Sequence, residues 1–151
     1  MMCKDTTKEK ELIKNAELII KINDFSEVYN NTYTSGIYIL RKENEDYYIG
    51  SSNDIDRRMK EHKHIITDNE GKLMVIYFNH PEQELLMPIY RKAEAYTIRG
   101  VKELYIKRML NGSKYNEIYD KEFTEIMEII KNIIFIFINE GGNKDETDTN
   151  T

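Results

Sequence analysis

The sequence predicts an α+β fold: a small three-stranded, mainly antiparallel sheet flanked by helices, with an added helix at each end. Three observations predict it. Residues 35–50 form two strand-like runs around the charged turn Glu43-Asn44-Glu45-Asp46. Leu73-Met74-Val75-Ile76-Tyr77-Phe78 is a short, wholly apolar run of the kind that fills a sheet centre. Residues 83–110 and about 121–138 carry apolar side chains at helical spacing. Hairpin, third strand and helices together make a layered α+β domain.

The elements follow in chain order. Residues 7–22 read as an amphipathic helix, with Leu12, Ile13, Ala16, Ile19 and Ile20 at helical spacing. After the hairpin, Ser52-Asn53-Asp54 offers capping oxygens, and Asp54 and Asp56 favour the positive end of a helix over 54–65 that buries Ile55 and Met59. Asp68 to Gly71 turns the chain into the apolar strand, which Pro81 closes. The helical stretch from 83 to 110 has a candidate break at Gly100, and Asn111-Gly112-Ser113 ends it as a turn. The helix over 121–138 carries Phe123, Ile126, Met127, Ile130, Ile133, Ile134 and Phe137. The polar, acidic residues 141–151 are expected to be disordered.

At 151 residues the chain is expected to be one domain with additions. Its single cysteine, Cys3, excludes a disulfide framework and a cysteine-based zinc site. Lys4, Asp5, Lys8 and Glu9 interrupt any early apolar stretch, which argues against a signal peptide. The apolar window 133–138 is far shorter than the ~20 residues of a membrane span. A soluble, cytoplasmic protein with no membrane partner is the expectation. The net charge of −5 divides unevenly, with −1 over residues 1–32, +2 over 33–116 and −6 over 117–151. The central segment is therefore mildly basic, and an acidic total does not exclude phosphate binding there.

That segment holds Gly36-Ile37-Tyr38 and Tyr48-Ile49-Gly50, ten residues from tyrosine to tyrosine, then Arg58 ten further on and His62 four beyond that. Aromatic and β-branched residues around a polar turn make any hairpin; the two glycines with Arg58 and His62 set this one apart. The constellation resembles the catalytic core of the GIY-YIG nuclease superfamily, over about residues 34–116. The resemblance implies a metal-dependent endonuclease acting on DNA, on a three-stranded sheet flanked by helices. It divides the chain into an N-terminal helical extension (1–33), the nuclease-like domain (34–116), a C-terminal helix packed on the core (117–140) and the tail.

By matching position, the resemblance makes Tyr38 the general base and Tyr48 a support for the water and phosphate network. It makes Arg58 the clamp on the scissile phosphate, with His62 assisting the phosphate or a tyrosine hydroxyl. Gly36, Gly50 and Asn116 are implied substrate contacts, and Arg57, turned about 100° from Arg58 on the helix, is read as a surface or DNA-backbone-binding cation. Gly50 is expected to admit phosphate or to allow a positive φ. The family also needs a glutamate to hold one metal ion. Glu94, in Glu94-Ala95-Tyr96-Thr97-Ile98, matches the Glu-x-aromatic-x-Ile pattern residue by residue. Glu103, in Glu103-Leu104-Tyr105-Ile106, stands one residue short of it and remains the alternative. With Glu94, Asn116 falls about seven residues, or two helical turns, further downstream than usual. One carboxylate completed by water and phosphate suits Mg²⁺ (or Mn²⁺).

Geometry adds a condition. Side chains alternate along a strand, so Tyr38 and Tyr48 share a face only if the hairpin loop has an odd number of residues, barring a bulge. Two other readings compete: a catalytically silent nucleic-acid-binding or scaffold domain of the same fold, and an interaction module pairing copies through the apolar 126–138 stripe. A homodimer would also suit a nuclease that cuts both strands.

Overall fold

The computed structural model describes residues 5–44, 46–105 and 119–142. In order these are α1 (Thr7–Ile13), β1 (Glu17–Asp24), a 3-10 turn (Phe25–Asn30), β2 (Gly36–Lys42), β3 (Tyr47–Ser52), α2 (Ile55–Glu61), α3 (Lys63–Thr67), β4 (Gly71–Asn79), α4 (Gln83–Tyr105) and α5 (Lys121–Gly142). The fold is α+β, and the sheet is antiparallel with strand order β1-β4-β2-β3.

The sheet has four strands where the sequence predicts three. The fourth comes from the segment expected to complete a helix over 7–22: the helix stops at Ile13, and Glu17–Asp24 is strand β1. Ile19, Ile20 and Ile22 are β-branched and suit a pleated surface. β1 pairs with β4 from Glu17↔Asn79 to Asp24↔Lys72, which satisfies a backbone edge that β4 would otherwise leave open. The N-terminal extension is thus a helix and a strand.

Alternation divides the sheet into two faces. Ile37, Ile39 and Ile49 meet Met74 and Ile76 on one face, under α4 and α5. Tyr38 and Leu40 meet Leu73 and Val75 on the other, with Phe25, Val28, Ile55 and Met59. α4 runs unbroken through Gly100, where the close neighbour is the flexible side chain of Lys131 on α5. α5 buries Phe123, Met127, Ile130, Ile134 and Phe137 against the core. Arg41 of β2 ties it down, donating to the Phe137 carbonyl with its guanidinium 4.4 Å from that ring. The stripe considered for pairing two copies is therefore largely used inside the chain. Among the described residues no helix is long and apolar enough to cross a membrane. The expected turn at 111–113, Asn116 and the tail from 143 lie outside the described residues.

The expected helix over 54–65 is two short helices that meet at His62. Asp54 caps the first, accepting from the Arg57 backbone N–H at 3.1 Å, as its position before the apolar Ile55 predicts.

Candidate active site

The hairpin register settles how the two tyrosines meet. Tyr38 faces Gly50 and Leu40 faces Tyr48. The Lys42 N–H bonds the Asp46 carbonyl, leaving three residues between them. The loop is odd, and Tyr38 and Tyr48 share a face, stacked with ring centroids 6.1 Å apart. Tyr47 points to the opposite face and is buried in the core beneath α4, as alternation requires.

Gly50 does not take the positive φ that its place at the strand exit allowed, and the space beside it is occupied. A β-carbon there would stand 2.4 Å from Cζ and 2.5 Å from Oη of Tyr38, so the space is filled by the phenol. The ring of Tyr38 lies across Gly50 and carries its hydroxyl toward β3, the edge strand. Among the described glycines only Gly36 has a positive φ, 150°. A β-carbon at Gly36 would meet the Ile76 carbonyl oxygen at 2.5 Å, so that glycine lets β2 and β4 close up. We expect Gly50→Ala to destabilise the fold by about 1–3 kcal/mol through overpacking. It should also displace the Tyr38 hydroxyl, at a cost of about 10²-fold in any chemistry that hydroxyl performs. Thermal denaturation and turnover of the one variant measure both.

Around that hydroxyl the expected polar groups converge. His62 Nε2 lies 3.0 Å from Tyr38 Oη, and Arg58 Nε donates to the same oxygen at 3.3 Å. The His62 ring also sits 4.7 Å from the Tyr48 ring. Helix α2 supplies Arg58 one turn before its end, and the His62 N–H bonds the Arg58 carbonyl, which aligns the two side chains. Burial, then the Arg58 charge, holds the His62 imidazole below its usual 6.5. Burial pushes the Tyr38 phenol up to about 12, against the opposing pull of the Arg58 hydrogen bond. At neutral pH the pair is a neutral phenol beside a neutral imidazole.

Glu94 lies on the other side of the sheet, near enough for its charge to act on Tyr38 and for that of Arg58 to act on it. It lies on α4, over the Ile37 face, and accepts a 2.5 Å hydrogen bond from Ser51 Oγ. Ser51 faces Ile37 in the ladder, one residue from Gly50, so strand β3 stands between Glu94 and the tyrosines. The site straddles the sheet edge. Burial raises the Glu94 carboxyl above its usual range, while the Ser51 bond and the Arg58 and Arg91 charges pull it down. Glu103 is nine residues further along α4, about 13.5 Å along the helix axis. Arg57 is exposed and makes its contact with Asp54 through its backbone.

Two residues that sequence reasoning passed over stand in this site. Ser51 follows the glycine of the second tripeptide, and only strand register shows that it turns toward α4. Glu61 is exposed and pairs with Arg58 Nη1 at 3.2 Å; its i, i+3 spacing was the available signal.

The donor set fits a hard divalent cation. It offers one half-buried carboxylate with the Ser51 hydroxyl bonded to it, which suits Mg²⁺ because that ion keeps much of its water and takes further oxygens from phosphate. Among the described residues no group of three or more His, Cys, Asp or Glu stands ready to enclose an ion.

The family model described as the GIY-YIG catalytic domain matches residues 34–116, more than half of the chain. No curated protein and no solved structure matches it.

Proposed function

Since the chain belongs to the GIY-YIG nuclease family, we propose that it is a metal-dependent endonuclease that hydrolyses DNA phosphodiester bonds with one metal ion. The observation that supports this reading is the convergence of His62 Nε2 and Arg58 Nε on Tyr38 Oη, with Glu94 beside them across β3.

Hydrolysis requires that water lose a proton and that positive charge meet the phosphate. A phenol at about 12 cannot take a proton at neutral pH until its own has left. His62, held neutral, is within reach to receive it. In this reading the Oη–H bond breaks as Nε2–H forms. The phenolate then removes a proton from water, and the hydroxide attacks phosphorus. The bond from phosphorus to the leaving oxygen breaks, that oxygen takes a proton from solvent, and the His62 imidazolium gives its proton back to solvent, which restores the neutral pair. Arg58 stabilises negative charge on Oη and, with its planar fork of donors, on the phosphate. Glu94 would hold the divalent ion, which when bound supplies positive charge to the phosphate oxygens.

Supercoiled plasmid incubated with the protein and Mg²⁺ is expected to be nicked and linearised, and excess chelator should stop the reaction. Plasmid left intact with both Mg²⁺ and Mn²⁺ would leave the chain a binding or scaffold domain.

A further inference from the structure

Ser51 is tied to Glu94 by a hydrogen bond at the short end of the charge-assisted range. The serine belongs to β3, whose backbone is fixed by the ladder to β2. The glutamate belongs to a helix that packs on the same strand. The bond therefore fixes the carboxylate relative to the sheet edge, where Tyr38 Oη arrives from the other face. It occupies Oε1 and leaves Oε2 with no hydrogen-bond partner among the described residues. Without it, a glutamate side chain with three rotatable bonds would choose among several rotamers.

From this geometry we propose that Ser51 is a positioning residue, holding the Glu94 carboxylate in the one orientation that presents its free oxygen to a divalent cation at the β3 edge. The proposal rests on the reading of Glu94 as the metal ligand. Outer partners of this kind typically govern metal affinity by about 10- to 100-fold.

The test measures Mn²⁺ binding to the DNA-free protein by electron paramagnetic resonance, for wild type, Ser51→Ala, Ser51→Thr and Glu94→Gln, with circular dichroism confirming that each is folded. Ser51→Ala should bind Mn²⁺ roughly 10- to 100-fold more weakly, and Ser51→Thr, which keeps the hydroxyl, should recover most of the affinity. In cleavage, Ser51→Ala should need correspondingly more metal to reach its half-maximal rate. Wild-type affinity in Ser51→Ala, with binding lost in Glu94→Gln, overturns the proposal and leaves Glu94 as ligand. Wild-type affinity in Glu94→Gln overturns both.

Discussion

Replacing Tyr38 by phenylalanine is expected to lower kcat for plasmid cleavage by about 10²- to 10⁴-fold, the range over which a positioned general base acts. The fold should persist, because the aromatic ring keeps its seat over Gly50 and loses only the oxygen shared by His62 and Arg58. The pH profile of wild type separates two routes to the same base. A phenol at about 12 acting alone would give a rate that climbs tenfold per pH unit across neutrality. Transfer to a neutral His62 gives a plateau instead, bounded on the acid side by imidazole protonation. That limb lies below pH 6.5, since burial and Arg58 both depress the His62 value, and activity falls as pH drops through it. His62→Ala should convert the plateau into the climbing profile. A climbing profile already in wild type would remove His62 from the proton path.

Arg58→Ala is expected to cost about 10²- to 10³-fold in kcat, as for loss of a donor aimed at developing negative charge. Two further effects give it a signature. Arg58 lowers the His62 value by its charge, so without it the acid limb should move to higher pH. Arg58 also opposes the rise of the Tyr38 phenol, so the remaining base becomes harder to generate. Arg58→Lys should rescue poorly. An ammonium has no planar fork, so it cannot hold Oη through one nitrogen while offering others to a phosphate. A variant with Arg58→Ala whose kcat and acid limb both match wild type would exclude the guanidinium from the chemistry.

Much of the site was legible because its parts are local. The Tyr38–Tyr48 relation depends only on alternation and loop length, and Arg58 and His62 are one helical turn apart. What escaped depends on tertiary placement. Ile19, Ile20 and Ile22 fit a helical stripe as well as an alternating strand; the open edge of β4, more than fifty residues away, decided the matter. The break at His62 escaped because an apolar pattern continuing through Ile65 and Ile66 marks no end to the helix. Ser51 reads as a polar residue at a strand end until the register shows it facing α4. The pattern singles out Glu94 over Glu103, but not its hydrogen bond to Ser51 across α4 and β3. Gly50 was legible as a place with no room for a side chain, but a sequence does not say what fills the space a missing side chain leaves.

That filled space changes what the spacing of the signature means. The tyrosine of its first half rests in the hollow left by the glycine of its second, so the two tripeptides are parts of one fitting. A single residue inserted within β2 or β3, unless a bulge absorbed it, would shift the cross-strand partners and set a side chain where the phenol now lies. The pairing of the two strands is in this sense a machined tolerance, set by what lies between the tripeptides' faces and not by the residues of the loop that joins them.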